Sequence, residues 1–337
     1  MKRVGHLMER IAHPDNLREA FLRAARGKST RPSVRAFRAS LDENLSLMHQ
    51  QLLDGTFRFG DYRFFTVYDP KRREICAASF PERVAFHAMM RICHPVFDDY
   101  QVFDSYASRI GKGTYAALDR AVHFALHYRW FAKLDVVKYF DSLDHEVLKK
   151  QLHSLFKDKR LLNYFDGLID GYQGAALDKG VPIVNLTSQY FANHYLSPAD
   201  HYAKQELKVP GLVRYMDDVL FFHDDKKKLK SMVNDYQRFV EEELHLQHHP
   251  VVLNETSRGI PFLGYVVRGN GLRLNLRSKR RFVTKMRNLT QEIKDGWIDH
   301  DIFAMRAGCL LAFADKADSV GFRKKMASSV GMYPKGL

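Results

Sequence analysis

Two adjacent aspartates, Asp217 and Asp218, are the residues of this chain best suited to carry chemistry. They follow Tyr215 and Met216, and apolar runs flank the four residues, so the pattern predicts a β-hairpin whose turn carries both carboxylates. Adjacent carboxylates are unfavourable unless a cation lies beside them, and Mg²⁺ prefers carboxylate oxygens. Nucleotidyl transfer uses two such ions about 3.5–4 Å apart. The alternative is an ordinary solvated turn.

A two-metal site needs a third carboxylate from a separate element, and Asp135 is the candidate. It lies in an apolar run, 131–137, that is typical of a buried strand. Asp141 and Asp144 follow where this strand would turn into a helix, so helix capping is the favoured interpretation for both.

The chain is long and strongly basic. Its 337 residues, 45% of them hydrophobic, are enough for a large core and two or three subdomains. A net charge of +14 suggests a polyanionic partner such as nucleic acid, although charge alone does not exclude a general role in solubility. The segment 273–287 holds seven basic residues and no acid.

Cysteine usage and hydropathy favour a cytoplasmic protein. The three cysteines are widely separated and form no Cys-x-x-Cys pair, which argues against disulfides and against a cysteine zinc site. We expect no transmembrane helix, because no window of about 18 apolar residues exists. The basic N-terminus lacks the apolar core of a signal peptide.

Hydrophobic periodicity predicts a mixed α+β fold without regular β-α alternation. Helices are predicted over 15–55 and from Pro81 to about Ile92, and a separate helix is predicted to end at about His127. Further helices are predicted to begin after caps at Asp144, Thr187-Ser188 and Asp225. Strands are predicted over 61–80 with a turn at 69–71, over 131–137, and over 262–267. The remainder is predicted to be helical and basic, with a loop at 104–113.

Several segments, taken together, resemble the motifs of reverse transcriptases. Residues 133–145 are similar to the first palm motif, and 215–218 to the catalytic hairpin. Residues 180–189 are similar to the segment that supports the template and the incoming base, and 262–265 to the strand after the palm. Their order and spacing hold from about residue 65 to 270, about 60% of the chain.

Finer details resemble the reverse transcriptases of diversity-generating retroelements, a group similar to group II intron and retron enzymes. They include Ser188-Gln189, Arg214 before the hairpin, and the segments 80–88 and 105–114. The resemblance implies a compact enzyme that copies a template RNA into cDNA with errors at adenines, assisted by a small basic helical protein.

The chain departs from this group in two places. Val184 stands where the group usually has glycine, which puts fidelity and base preference in question. The lysine proposed elsewhere as general acid for pyrophosphate is absent between residues 246 and 259, where His248 or His249 could substitute, although a structural role is favoured for both.

The resemblance implies roles for individual residues. Asp135 and Asp217 would bridge two Mg²⁺ ions, for which Mn²⁺ can substitute, with Asp218 assisting and the carbonyl of Val136 adding a ligand. Phe140 matches the aromatic gate that favours deoxynucleotides, and a plain core phenylalanine is the alternative.

Further residues are expected to contact the nucleotide or nucleic acid. The implied nucleotide contacts are Arg73 and Lys71 for the triphosphate, Arg109 and Lys112 for triphosphate or template, and Gln189. The expected template and primer contacts are Tyr215, Met216, Ile183, Val184, Arg277, Lys279, Arg280 and Arg281. For the basic side chains, a solvated surface is the alternative.

The overall prediction is an α+β right-hand polymerase. Its fingers, with an N-terminal helical extension, would span 1–130, its palm of antiparallel sheet plus helices 131–270, and its basic helical thumb 271–337. It would add dNTPs to a primer on an RNA template and hold the RNA–DNA duplex by shape. Two alternatives stay open: an antiviral defence or retron-type enzyme that copies a dedicated non-coding RNA, and a non-catalytic RNA-binding protein like a maturase, which the three aspartates disfavour.

Overall fold

The computed structural model of the chain describes residues 2–60, 62–68, 72–172 and 176–329. They form two compact units. The first comprises Met1–Arg109, Asp135–Lys208 and Asn234–Pro250, and the second comprises Ile110–Leu134, Val209–Val233 and Val251–Leu337. Both units are built from several segments of the chain, so neither follows from a single cut in the sequence.

The first unit begins with short helices rather than one helix over 15–55. They are α1 (Met8–Ala12), α2 (Pro14–Ala25), α3 (Pro32–Ala39) and α4 (Leu41–Asp54). Proline lies at the first turn of α2 and α3, where its missing N–H costs nothing, and Gly27 has a positive φ of 68° just after α2. These breaks explain why the prediction of one continuous helix is wrong.

The predicted strands of 61–80 are confirmed as the antiparallel pair β1 (Tyr62–Tyr68) and β2 (Arg72–Ala78). The predicted turn at 69–71 lies outside the described residues. The helix predicted from Pro81 is α5 (Phe80–Tyr100), which begins with a capping box between Ser79 and Glu82. It continues past Ile92 and through Pro95, because burial of its core face outweighs one missing backbone hydrogen bond.

The rest of the first unit is helical. After α7 (Tyr139–Ser142), Asp144 caps α8 (His145–Leu155) as predicted, accepting hydrogen bonds from the backbone N–H groups of Glu146 and Val147. The helices α9 (Lys159–Asp170), α10 (Leu186–Tyr195) and α11 (Ser197–Gln205) follow. The predicted cap at Thr187-Ser188 is wrong, because α10 begins at Leu186 and both side chains are buried inside its first turn.

The second unit contains a four-stranded antiparallel sheet. Its order is β4 (Gly211–Tyr215), β5 (Asp218–His223), β3 (Trp130–Leu134) and β6 (Val252–Glu255). The predicted helix ending near His127 is confirmed as α6 (Thr114–His127) and packs on this sheet. The helix α12 (Lys226–Leu244) has residues 226–233 in this unit and its remainder in the first unit. Asp225 caps it, and Leu229, Tyr236 and Val240 are buried.

A second sheet of three strands consists of β7 (Ile260–Phe262), β8 (Tyr265–Arg268) and β9 (Gly271–Leu274). The predicted single strand over 262–267 is therefore wrong. Leu263 and Gly264 have positive φ angles of 47° and 89° and form a two-residue hairpin turn that pairs Phe262 with Tyr265. Such a turn is hard to foresee because leucine rarely adopts positive φ.

The second unit continues with helices α13 (Leu276–Lys294), α14 (His300–Asp315) and α15 (Val320–Ser329). Asn275 caps α13, and its side chain accepts a hydrogen bond from the N–H of Ser278 at 2.7 Å. Arg273 lies in β9, so the basic run begins in a strand. Among the described helices, none combines the length and apolar character needed to cross a bilayer.

Candidate active site

The hairpin that carries the adjacent aspartates has a two-residue turn. Tyr215 and Asp218 are paired across the strands, so the turn consists of Met216 and Asp217. Only one of the two carboxylates therefore lies on the turn, and Asp218 opens β5. Met216 has a φ of 56°, a conformation that costs a side-chain-bearing residue about 1 kcal/mol or more.

A buried arginine supports this strained turn from within the sheet. The side chain of Arg214 is fully buried, and its Nη1 donates a hydrogen bond to the carbonyl of Met216 at 3.0 Å. This contact holds the turn in a single conformation. The sequence singled out Arg214 only as a point of resemblance; its role was signalled by a charged residue inside an otherwise apolar strand.

A lysine from the neighbouring strand contacts the second carboxylate. The Nζ atom of Lys133 lies 2.8 Å from Oδ1 of Asp218, and the two side chains are 22% and 28% exposed. This Oδ1 atom is buried and has no well-aligned hydrogen bond among the described residues, so the ammonium supplies charge rather than a directional bond. The sequence placed Lys133 in the segment similar to the first palm motif but did not predict its contact with Asp218.

The pairing of β3 with β5 shows which strand end comes just before the third aspartate, Asp135. Lys133 is paired with Leu220, and Leu134, the last residue of β3, is paired with Val219. Asp135 is the next residue of the chain after Leu134. The strand thus ends one residue before Asp135, rather than continuing to Val137 as predicted.

Within the first unit, the backbone around Asp135 is held by the segment that follows α12. The carbonyl of Asp135 accepts a hydrogen bond from the N–H of His249, and the N–H of Val137 donates to the carbonyl of Gln247, both at 2.8 Å. The carbonyl of Val136 takes part in neither of these two hydrogen bonds. The Asp135 side chain is half-buried.

The donors suit a hard cation, because carboxylate and carbonyl oxygens are the ligands that Mg²⁺ and Mn²⁺ prefer. Across the residues that the structure describes, however, no group of three or more His, Cys, Asp or Glu side chains is close enough to hold a metal ion. The buried Oδ1 of Asp218, which has no hydrogen-bond partner among the described residues and lies 2.8 Å from the Lys133 ammonium, is the feature that fits a cation. The metal site therefore stays a prediction.

The segment predicted to support the template lies beside the predicted aromatic gate in the first unit. The N–H groups of Gly180 and Val181 donate to the carbonyls of Leu143 and Phe140, each at 2.8 Å. Phe140 is half-buried, with its ring 5.8 Å from that of Tyr139. It is therefore not a fully buried core residue.

The remaining residues predicted in this segment and at the hairpin differ in exposure. Val184 is 50% exposed, whereas Ile183 and Gln189 are half-buried. In the second unit, the hydroxyl of Tyr215 accepts a hydrogen bond from that of Thr114 at 3.1 Å, which ties the hairpin to α6.

The predicted phosphate contacts near the fingers have mixed outcomes. The guanidinium of Arg109 donates to Asp98 at 2.6 Å and to the carbonyls of Val102 and Ser105, and only 10% of its side chain is exposed. It holds its loop together, which corrects the predicted contact with triphosphate or template. Lys112 is half-buried.

Two other predicted phosphate ligands cannot be placed. Lys71 and the side chain of Arg73 lie outside the described residues, although the backbone of Arg73 pairs with Val67 in the β1–β2 hairpin. Their proposed contacts with the triphosphate stay predictions.

Part of the basic run lies on the solvent-facing side of α13. Arg277, Arg280 and Arg281 are exposed, and the Nζ atom of Lys279 lies 5.8 Å from the centre of the Phe322 ring. On the opposite side Phe282, Met286 and Leu289 are buried. Leu276, the first residue of the helix, is 73% exposed.

Burial lowers the pKa of His248 to about 4. This histidine is therefore neutral at pH 7 and has no proton to give to pyrophosphate. This lowered pKa argues against His248 as the replacement for the missing lysine.

Comparison with known proteins agrees with this architecture. A family model described as reverse transcriptase (RNA-dependent DNA polymerase) matches residues 82–267. Protein YkfC of Escherichia coli K12 is 26% identical over 223 residues, covering 59% of this chain and 57% of its own. The putative COX1/OXI3 intron 2 protein of Saccharomyces cerevisiae is 22% identical over 253 residues, covering 56% of this chain and 29% of its own.

Among solved structures, the apo telomerase of Candida tropicalis matches with a TM-score of 0.51 and 11% identity, covering 80% of this chain and 59% of that chain. This likeness supports the predicted right-hand polymerase fold. The chain spans between 24% and 57% of the length of the curated relatives that it matches.

Proposed function

The chain belongs to the reverse transcriptase (RNA-dependent DNA polymerase) family, and we propose that it synthesises cDNA on an RNA template by two-metal nucleotidyl transfer. The observation that carries the proposal is the register of β3 against β5. It pairs the residue before Asp135 with the residue after Asp218, at the same end of two hydrogen-bonded strands.

In this proposal, Asp135, Asp217 and Asp218 hold two Mg²⁺ ions, with the carbonyl of Val136 as a further ligand. When bound, the ions supply activation of the primer 3′-hydroxyl and stabilisation of the leaving pyrophosphate. Lys133 keeps the carboxylate of Asp218 in place while the nucleotide is absent.

The remaining roles concern the nucleotide and the template. Phe140, half-buried on α7, stands beside the sugar and disfavours a ribose 2′-hydroxyl. Gln189 supports the templating base together with Ile183 and Val184. Lys71, Arg73 and Lys112 neutralise the triphosphate, since arginine and lysine side chains bind phosphate oxygens well. Tyr215 and Met216 lie under the primer end.

The exposed basic face of α13 grips the backbone of the RNA–DNA duplex through Arg277, Arg280 and Arg281, and the half-buried Lys279 adds a contact from the edge of the apolar side. Such contacts recognise charge and helical shape rather than sequence. In this assignment the fingers span 1–130, the palm 131–270 and the thumb 271–337.

We infer that the enzyme serves a diversity-generating retroelement, on the resemblance of Ser188-Gln189 and the segments 80–88 and 105–114, and works with a small helical accessory protein. The second candidate is a defence-associated or retron-type enzyme that copies a dedicated non-coding RNA. Val184, half exposed where the retroelement group usually has glycine, is a departure of this chain from the first group. Neighbouring genes distinguish the two: a template and variable repeat pair indicates the first.

Primer extension on poly(rA)/oligo(dT) tests the catalytic proposal against that of a silent RNA-binding protein. Asp217→Ala should abolish incorporation of dTTP, whereas Glu241→Ala, which removes an exposed acid from α12, should leave it unchanged. Equal incorporation by the wild type and Asp217→Ala would refute a catalytic role for the hairpin.

A further inference from the structure

A groove of about 610 Å³ lies within the first unit, where the end of α4 meets the outer face of α9. Its walls include Thr56, Arg58, Phe59, Arg160, Asn163 and Gly167. We call it the α4–α9 groove. Its volume is within the range of about 300–1,000 Å³ that is common for small-ligand sites, and none of the residues discussed above as catalytic lines it.

The floor of the groove is aromatic and rigid. The ring of Phe59 lies 4.9 Å from that of Phe57 and 5.7 Å from that of Tyr164, and it stacks on Phe86 at 5.3 Å. The hydroxyl of Tyr164 donates to the carbonyl of Gln51 at 3.0 Å, which fixes this ring as well. Phe59 nevertheless stays half-exposed, so it offers a fixed aromatic surface to a planar ligand.

Two arginines line the groove, and the charge of one of them, Arg160, is balanced by Glu9. Arg58 and Arg160 line it, and no aspartate or glutamate is among its lining residues. Arg58 is exposed, whereas the guanidinium of Arg160 is oriented by Glu9 and by the carbonyl of Leu53. The exposed guanidinium of Arg58 is therefore the one offered to a phosphate group.

A smaller cavity of about 280 Å³ shares Arg160 with the groove and extends the positive charge along Lys157 and Lys159. Its two acids are already engaged. Glu9 pairs with Arg160, and a carboxylate oxygen of Asp158 accepts hydrogen bonds from the N–H groups of Leu7 and Met8, the first at 2.8 Å. The basic track is therefore longer than a single phosphate group.

The wall formed by α9 is open and polar. A side chain at Gly167 would meet nothing within 4 Å, so the helix backbone faces free space there. Asn163 lies one helical turn earlier and is exposed, as is Thr56 on the opposite wall. Amide and hydroxyl groups can pair with base edges and with a ribose 2′-hydroxyl.

We propose that the α4–α9 groove binds a single-stranded segment of RNA. One base stacks against Phe59, Arg58 contacts its phosphate, and the chain continues past the Arg160–Glu9 pair along Lys157 and Lys159. The proposal rests on the proposed function in one respect, namely that the protein works on RNA, and it names a contact outside the copied duplex. An acidic peptide would match the charge but would leave the aromatic floor and the amide of Asn163 without partners.

Fluorescence anisotropy with a labelled single-stranded oligouridine tests the proposal, in EDTA and without dNTPs, so that catalysis plays no part. Arg58→Ala should weaken binding about 5-fold and Gly167→Leu about 10-fold, since stacking of one base is worth about 1–3 kcal/mol. Leucine has a higher helix propensity than glycine by about 1 kcal/mol, so Gly167→Leu should fill the groove without destabilising α9. An unchanged or raised Tm verifies that the variant is folded.

Arg35→Ala is the matched control, because this exposed arginine on α3 carries the same charge and lies outside the groove. It should change the affinity less than 2-fold, as expected for one peripheral phosphate contact. Wild-type affinity in both groove variants would overturn the proposal, as would equal affinity for oligothymidine DNA or stronger competition by an oligoglutamate peptide. Primer extension is scored separately, so an inactive polymerase that still shows the groove pattern would refute the proposed function and leave this inference standing.

Discussion

Replacing Lys133 by methionine isolates the charge that holds the Asp218 carboxylate, because methionine keeps most of the apolar stem of lysine. At 2.8 Å and an effective dielectric constant of about 20, Coulomb attraction between the two groups is about 6 kcal/mol. Loss of water from two side chains that are only about a quarter exposed offsets most of this attraction. We therefore expect Lys133→Met to lower the free energy of unfolding by about 2 kcal/mol without metal.

Added metal should reduce this deficit. If Asp218 takes part in binding Mg²⁺, the cation replaces the charge that the variant has lost, and the competing ammonium is gone. The difference in Tm between wild type and variant, on the order of 4 °C in EDTA, should shrink in millimolar Mg²⁺. Calorimetric titration with Mn²⁺ should show tighter binding to Lys133→Met than to the wild type. Both measurements are independent of polymerase activity.

Two further variants sharpen the test. Lys150→Met removes an exposed lysine from α8 and should change neither the Tm nor the metal response. The double-mutant cycle of Lys133→Met with Asp218→Asn should return a coupling energy of about 1–2 kcal/mol in EDTA. A Tm deficit that is the same with and without Mg²⁺ would show that the Asp218 carboxylate does not bind the ion, and a coupling energy near zero would refute the ion pair itself.

Two other predictions concern the first unit. Burial, reinforced by nearby arginine and lysine side chains, lowers the pKa of His87 from 6.5 to about 4, so protons bind the unfolded chain more readily. The free energy of unfolding should therefore fall as the pH drops from 6.5 towards 4. His87→Gln should remove about 1 kcal/mol of that loss, a figure discounted for solvent exposure. Urea titrations across this pH range measure the difference. Gly180→Ala should lower the free energy of unfolding by about 2–3 kcal/mol, because φ is 94° and a Cβ atom would lie 3.3 Å from the backbone of Asp141. Gly296→Ala is the control, since φ is 73° but the surrounding space is open, and it should cost about 1 kcal/mol in the same thermal scans.

Local signals were enough to predict much of the fold. An aspartate cap followed by an apolar stripe located α8 and α12, and a proline at the first turn located α5. Two apolar runs around a polar tip located the β4–β5 hairpin. The errors occurred where one residue decided the local backbone. Leu263 adopts a positive φ that leucine usually avoids, and Pro95 is tolerated inside a helix because the buried face around it outweighs its cost.

For the candidate site, the sequence suggested the residues but not the contacts they make. The residue types and the order of the motifs made Asp135, Asp217 and Asp218 the candidates, and their catalytic role stays a prediction. The partners of these groups depend on strand register, which links residues about 85 positions apart and leaves no local trace. Arg109 shows the same limitation: its sequence context suggested a phosphate ligand, and only the fold shows that Asp98 and two carbonyls already occupy its guanidinium.

The adjacency of Asp217 and Asp218 first suggested a metal, because two neighbouring carboxylates need a compensating cation. The second unit supplies positive charge of its own, in the ammonium of Lys133 beside Asp218 and in the buried guanidinium of Arg214 under the turn. The hairpin can therefore fold before any metal binds, and the adjacent acids alone do not establish a metal site. The functional argument depends instead on the strand end that leads into Asp135, because a polymerase needs that third carboxylate whereas a stable hairpin does not.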